Sequence, residues 1–233
     1  MNLPTGTMGA LCLTFFILSL LAMITNLVSA FLEKETVRKI SKPFCLLFLG
    51  IAVAFAIPNH PMVYLGAFMG FLGDIALIWK DDQKCVGLGV LCFWAGHGLY
   101  IATILQILYQ GGVFKDTPNA WLWMLLFVLL FMGLMVYPMW RLTNHSKIFA
   151  PAGVLYSTIL VSVGASAAMG CFLGYSSYLY LVILGDVCFI ISDSFLAYTI
   201  FIKDVKRRDF YIMLSYLFGE LLILSGLVFT LLK

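Results

Sequence analysis

Four carboxylic acids sit inside apolar runs that contain no Lys or Arg. They are Asp74 in GFLGDIALIW, Asp186 and Asp193 in LVILGDVCFIISDSFLAY, and Glu220 in YLFGELLILSG. An ionised carboxylate is costly away from water. A shared proton, a polar cavity, a metal ion or a cationic neighbour lowers that cost. All 14 Lys and Arg fall in the expected loops, so no fixed cation is expected beside these acids, and His97 is the nearest ionisable neighbour. A proton held on a buried carboxyl can serve as a general acid, and a second, ionised carboxyl can steady a developing cation and activate water.

Spacing groups these residues. Asp186 and Asp193 are seven apart, which puts them on one helical face about 10 Å apart at 1.5 Å per residue. His97 and Tyr100 are three apart on one face, and Tyr216 and Glu220 are four apart on another. Gly66, Gly70 and Gly73 form a small-residue stripe that lets another helix approach, with Asp74 beside it facing the interior of a bundle. Counted from the expected span ends, His97, Asp193 and Glu220 all lie about 15 Å deep.

The elements that carry these residues are membrane spans. The chain has 233 residues, is 63% hydrophobic and only 11% charged, and has a mean hydropathy of +1.04. That excludes a soluble enzyme domain. Eight apolar runs are long enough to cross a bilayer, near 9–32, 43–57, 62–79, 86–109, 121–139, 149–172, 178–202 and 210–232. The first lacks a basic leader and a small-residue cleavage site, so it reads as a span. Pro43 reads as the first helical residue of the second, where its missing N–H costs nothing. The expectation is an all-α polytopic protein, one eight-helix membrane domain over residues 1–233.

Twelve of the 14 basic residues fall in the loops after spans 1, 3, 5 and 7. By the positive-inside rule both termini are then non-cytoplasmic. The formal charge of +3 reflects that topology and lipid headgroups, and nothing points to nucleic acid. Short loops without a retrieval signal favour a bacterial cytoplasmic membrane over the endoplasmic reticulum. Cys12, Cys45, Cys85, Cys92, Cys171 and Cys188 have no ligand spacing and read as packing residues. FLGDIALI at 71–78 resembles ILGDVCFI at 183–190, and FWAGHGLY at 93–100 resembles YLFGELLI at 216–223. An offset of four spans would make the halves two parallel four-helix repeats.

In order and content these segments resemble the YhhN/TMEM86 family of lysoplasmalogenases. The family pattern has Gly-Asp in the third span, met here by Gly73-Asp74. It has Phe-x-x-x-His-x-x-Tyr in the fourth, met by Phe93, His97 and Tyr100. Ser-Asp in the seventh is met by Ser192-Asp193, and Tyr-x-x-Ala-Gln-x-Leu-Ile in the last is met by Tyr216 through Ile223. Lys42-Pro43 and Tyr156 also fit. Two positions depart: Gly219-Glu220 stands where the family has Ala-Gln, and Asp186 stands where it has a small neutral residue.

The resemblance implies hydrolysis of the vinyl ether bond of a lysoplasmalogen, giving a fatty aldehyde and a glycerophospho-head group. That chemistry suits the residues. Protonating the β-carbon of a vinyl ether makes an oxocarbenium ion that water captures, so one carboxyl must deliver a proton and another must stay ionised, as in glycosidases. Asp74 and Asp193 are the candidates, with their roles left open, and His97 would orient a carboxylate or shuttle the proton. Lys42 would meet the substrate phosphate, and Tyr100, Tyr156, Ser192, Tyr216, Glu220 and Asp186 would line the substrate site. The partners implied are a lysophospholipid and membrane lipids. No metal or other cofactor is expected, since only His97 of the three histidines lies in a span. The alternative is a small proton-coupled transporter using the same acids.

Overall fold

The computed structural model describes residues 4–79, 82–145 and 150–233; Lys80 and Lys147, two of the basic residues that set the expected orientation, lie outside them. Among the described residues the chain is all-α, without strands. Helix α1 spans Gly6–Phe31, α2 Glu35–Ala56, and α3 Pro61–Ala76 with a 3-10 turn at Leu77–Trp79. Then come α4 Gln83–Gln110, the single-turn α5 Val113–Asp116, α6 Ala120–His145, α7 Ala150–Phe172, α8 Leu179–Phe201 and α9 Arg208–Leu231. Among the described residues, seven helices are long and apolar enough to cross a membrane, and α6 contributes a shorter apolar stretch at Ala120–Gly133. All eight expected spans coincide with a long helix, and α5 is an addition inside an expected loop. The protein is an all-α polytopic membrane protein.

The second span begins earlier than expected. Helix α2 starts at Glu35, and Pro43 lies inside it. Glu35 and Lys39, four apart, form an exposed ion pair at 2.7 Å that supports the added turns. Pro43 withholds one N–H from the helix ladder, a loss that membrane helices tolerate where neighbours re-satisfy the backbone. Lys42 therefore lies within a helix.

Two compact units divide the chain, Met1–Thr103 with Leu227–Lys233, and Ile104–Gly226. In the first, α1 packs on α2 and α2 on α3. The buried face of α1 carries Ser19, Met23, Asn26 and Ala30 at intervals of three and four. Its polar members stitch it to α2. Ser19 Oγ donates to the Cys45 carbonyl at 2.8 Å, and Asn26 Nδ2 donates to the Arg38 carbonyl at 2.9 Å and to Ser41 Oγ at 3.0 Å. The other side of α1 exposes Leu13, Leu21 and Ile24, as a lipid-facing helix does. Helix α4 meets the small-residue stripe of α3. A Cβ at Gly96 would lie 2.9 Å from the Gly66 carbonyl oxygen, and one at Gly73 would lie 2.8 Å from the Phe93 ring.

In the second unit α6, α7 and α8 pack on one another. Helices α8 and α9 touch backbone to backbone: a Cβ at Gly219 would lie 2.8 Å from the Gly185 carbonyl oxygen. Both units thus join two helices through glycines, but in different register. Aligning the two Gly-Asp segments makes Gly73 the counterpart of Gly185, whereas Gly66 is the residue that meets Gly96.

Candidate functional site

The antiparallel pair α7–α8 positions the acids of the second unit. The turn between them closes on Gly174, whose φ of 73° lies in the left-handed region where a Cβ is unwelcome. The Tyr175 N–H caps the end of α7 by donating to the Gly170 carbonyl at 2.9 Å. This turn sets the register, so residues about equally far from it along the two helices face each other. Tyr156 and Asp193 are one such rung; Gly164 and Asp186 are another.

On the first rung the Tyr156 hydroxyl donates to Asp193 Oδ2 at 2.5 Å. A length at the short end for O–H···O bonds is that of a phenol giving its hydrogen to a carboxylate. On the second rung the Gly164 N–H donates to Asp186 Oδ2 at 3.1 Å. The seat exists only because residue 164 is glycine: a Cβ there would stand 2.5 Å from Asp186 Oδ2 and 2.6 Å from the Phe131 ring. Asp186 is wholly buried, and its Oδ1 has no hydrogen-bond partner among the described residues. Sequence reasoning passed over Gly164; the hairpin register is the signal that would have found it.

Helix α9 completes this group. The close Gly185–Gly219 contact brings the next residue, Glu220, into the interior, where it is 1% exposed. Glu220, Asp186 and Asp193 all lie within electrostatic reach of the Tyr156 hydroxyl. Ser192 Oγ donates to the Ile212 carbonyl at 3.1 Å, tying α8 to α9. Tyr216 stands edge-on to Phe189, with ring centroids 5.4 Å apart at 74°.

The first unit holds the other candidates in two groups. Lys42 Nζ lies 3.3 Å from Asp74 Oδ1, with the lysine side chain 12% and the aspartate 1% exposed. This corrects the expectation that the intramembrane acids lack a cation. Because α2 begins at Glu35, Lys42 is carried inside to the level of Asp74. The two lie about equally far along the chain from the turn at 57–60, so antiparallel packing of α2 on α3 makes them meet. His97 and Tyr100 form the second group on α4. His97 Nδ1 contacts the Phe93 carbonyl oxygen at 2.8 Å; a carbonyl only accepts, so Nδ1 carries a hydrogen, and in the neutral ring Nε2 is then the acceptor nitrogen. The Tyr100 ring is edge-on to His97 at 5.8 Å and occupies the space left by the missing side chain of Gly66.

The chemistry available is that of carboxyls in apolar surroundings. The second unit offers a carboxylate with a phenol donor and a carboxyl with an open oxygen. The first offers a carboxylate with an ammonium and an imidazole of fixed tautomer. A family model described as the YhhN family matches residues 37–227. No curated protein and no solved structure matches the chain.

Proposed function

The chain belongs to the YhhN family, and on that premise we propose that it is a membrane-embedded hydrolase that cleaves the vinyl ether bond of lysoplasmalogens. The observation that carries the reading is the Tyr156–Asp193 hydrogen bond in an apolar span, with Asp186 and Glu220 buried in the same unit. An enzyme acting on a vinyl ether makes an oxocarbenium ion, and a carboxylate held in fixed orientation is the group that stabilises it and directs water to it. Asp193 takes that role, and Tyr156 orients it. Oδ1 of Asp186 is available to the substrate or to the attacking water.

Roles for the first unit are proposed residue by residue. Asp74 is the other carboxyl of the pair: it delivers the proton to the β-carbon and is reprotonated from water, with Lys42 as the counter-cation of its ionised form. Lys42 also meets the substrate phosphate. His97, with Nε2 as acceptor, is a proton carrier, and Tyr100 fixes its ring. Ser192 and Tyr216 shape the substrate site, and Glu220 stands in for the family's Gln as a hydrogen-bonding group. The basic-residue asymmetry supports a bacterial cytoplasmic membrane with both termini on its non-cytoplasmic side.

The test is purified protein in detergent with a lysoplasmalogen. Aldehyde release needs no gradient across a membrane, whereas transport does. Aldehyde formed in micelles supports the hydrolase. Protein that forms none in micelles, yet moves a solute in sealed vesicles under a proton gradient, is the transporter.

A further inference from the structure

On the side of α8 away from Asp193, an apolar groove of about 750 Å³ runs between α8 and α9. Its lining includes Ile191 and Phe195 from α8 and Tyr211, Leu214 and Phe218 from α9, with Val205 at one end. Ile191 and Phe195 each lie two residues from Asp193, which turns them to the opposite face of the helix. The groove is therefore separate from the carboxyl cluster, and the inference does not rest on the hydrolase reading.

Two measures of the groove match a lipid chain. The first is length. From the α8–α9 loop, Ile191 and Phe218 are each about ten residues into their helices, or roughly 15 Å at 1.5 Å per residue. That is half of a hydrocarbon core about 30 Å thick, the depth of a single leaflet. The second is charge. The end at Val205 is bordered by Lys203, Lys206, Arg207 and Arg208. Arg208 is engaged by Asp204 at 3.0 Å and Asp209 at 3.8 Å. Lys203 and Lys206 are exposed and form no ion pair among the described residues. The occupant must be apolar for one leaflet's depth and anionic at the headgroup, and clusters of basic residues beside a membrane helix attract such lipids.

We propose that the α8–α9 groove is a binding site for an anionic phospholipid, with one acyl chain laid along Ile191, Phe195, Leu214 and Phe218 and the headgroup phosphate held by Lys203 and Lys206. A zwitterionic lipid fits the groove equally well but brings a choline or ethanolamine cation to a basic rim, which lowers its affinity.

The probes are phosphatidylglycerol and phosphatidylcholine, added at equal mole fraction to the purified full-length protein in detergent. Retention of each is read by native mass spectrometry. Wild type is expected to retain one phosphatidylglycerol in preference to phosphatidylcholine. Each basic residue near an anionic surface is worth roughly a five-fold change, so Lys203→Ala with Lys206→Ala lowers phosphatidylglycerol retention about 30-fold. Ser215→Trp, which fills the groove from α9 and leaves the loop charge intact, is expected to abolish specific retention of both lipids. Equal retention of the two lipids by wild type overturns the proposal. So does a Ser215→Trp protein that melts like wild type and keeps the preference, since the lipid would then be held by diffuse loop charge alone.

Discussion

Lys42 Nζ stands 3.3 Å from Asp74 Oδ1, a mostly buried lysine and a fully buried aspartate meeting between α2 and α3 from about equal distances either side of their connecting turn. Removing one partner strands the other charge in the interior, which costs about 3–5 kcal/mol, whereas an apolar replacement of both is close to neutral. Lys42→Met and Asp74→Leu should each lower the melting temperature in detergent. Lys42→Met with Asp74→Leu should recover most of it. The recovered double variant should still be inactive, because the proposed catalytic carboxylate is gone. Strict additivity of the two melting shifts would show that the pair contributes nothing.

The α8–α9 contact gives a second test. Gly219→Ala would place a methyl 2.8 Å from the Gly185 carbonyl oxygen and 3.1 Å from the Phe189 nitrogen, both backbone atoms that move only with their helix. The expected cost is about 1–3 kcal/mol of overpacking. Gly98→Ala is the control, since its Cβ would meet nothing within 4 Å. Thermal melts that rank the two variants equally would contradict this close approach.

Much of the membrane fold was legible because hydrophobic length is a robust signal: a run near 20 apolar residues has few other destinations. The ion pair was not legible, and Pro43 is the reason. A proline after a basic stretch resembles a helix start, which leaves Lys42 in a loop, while the Glu35–Lys39 turn that carries the helix past it is a weak local feature. The acids themselves are visible in sequence as charges in apolar runs. Their partners are not, because Tyr156 and Gly164 are ordinary residues of α7 until the Gly174 turn fixes which residues of α8 they face.

Glu220 stands where the family resemblance expects Gln. If it serves as a neutral hydrogen-bonding group, Glu220→Gln keeps shape and donor and should retain most of the activity. Glu220→Ala removes buried contacts at a residue only 1% exposed and should lose more. Activity in Glu220→Gln as low as in an Asp193→Asn variant would make Glu220 a proton-transferring residue instead.

Orientation can be checked without any assay of chemistry. Twelve of 14 basic residues belong to one set of connections and adjoining helix ends, so the C-terminus is expected on the non-cytoplasmic side. Alkaline phosphatase fused after Lys233 should be active, and green fluorescent protein fused there should be dark. The reverse pattern would contradict the expected orientation.

The central claim is that a carboxylate oriented by a phenol runs vinyl ether hydrolysis, and its most direct measurement is aldehyde released from a lysoplasmalogen by the purified protein in micelles. Wild type is expected to turn over. Asp193→Asn keeps the shape but loses the charge, and turnover should fall by roughly 10²–10⁴-fold, the usual worth of a positioned acid or base. Tyr156→Phe should fall less, because the carboxylate survives without its orienting bond. Both variants should remain folded by thermal melt. Wild-type protein that releases no aldehyde, or a folded Asp193→Asn protein that matches wild-type turnover, would contradict the account.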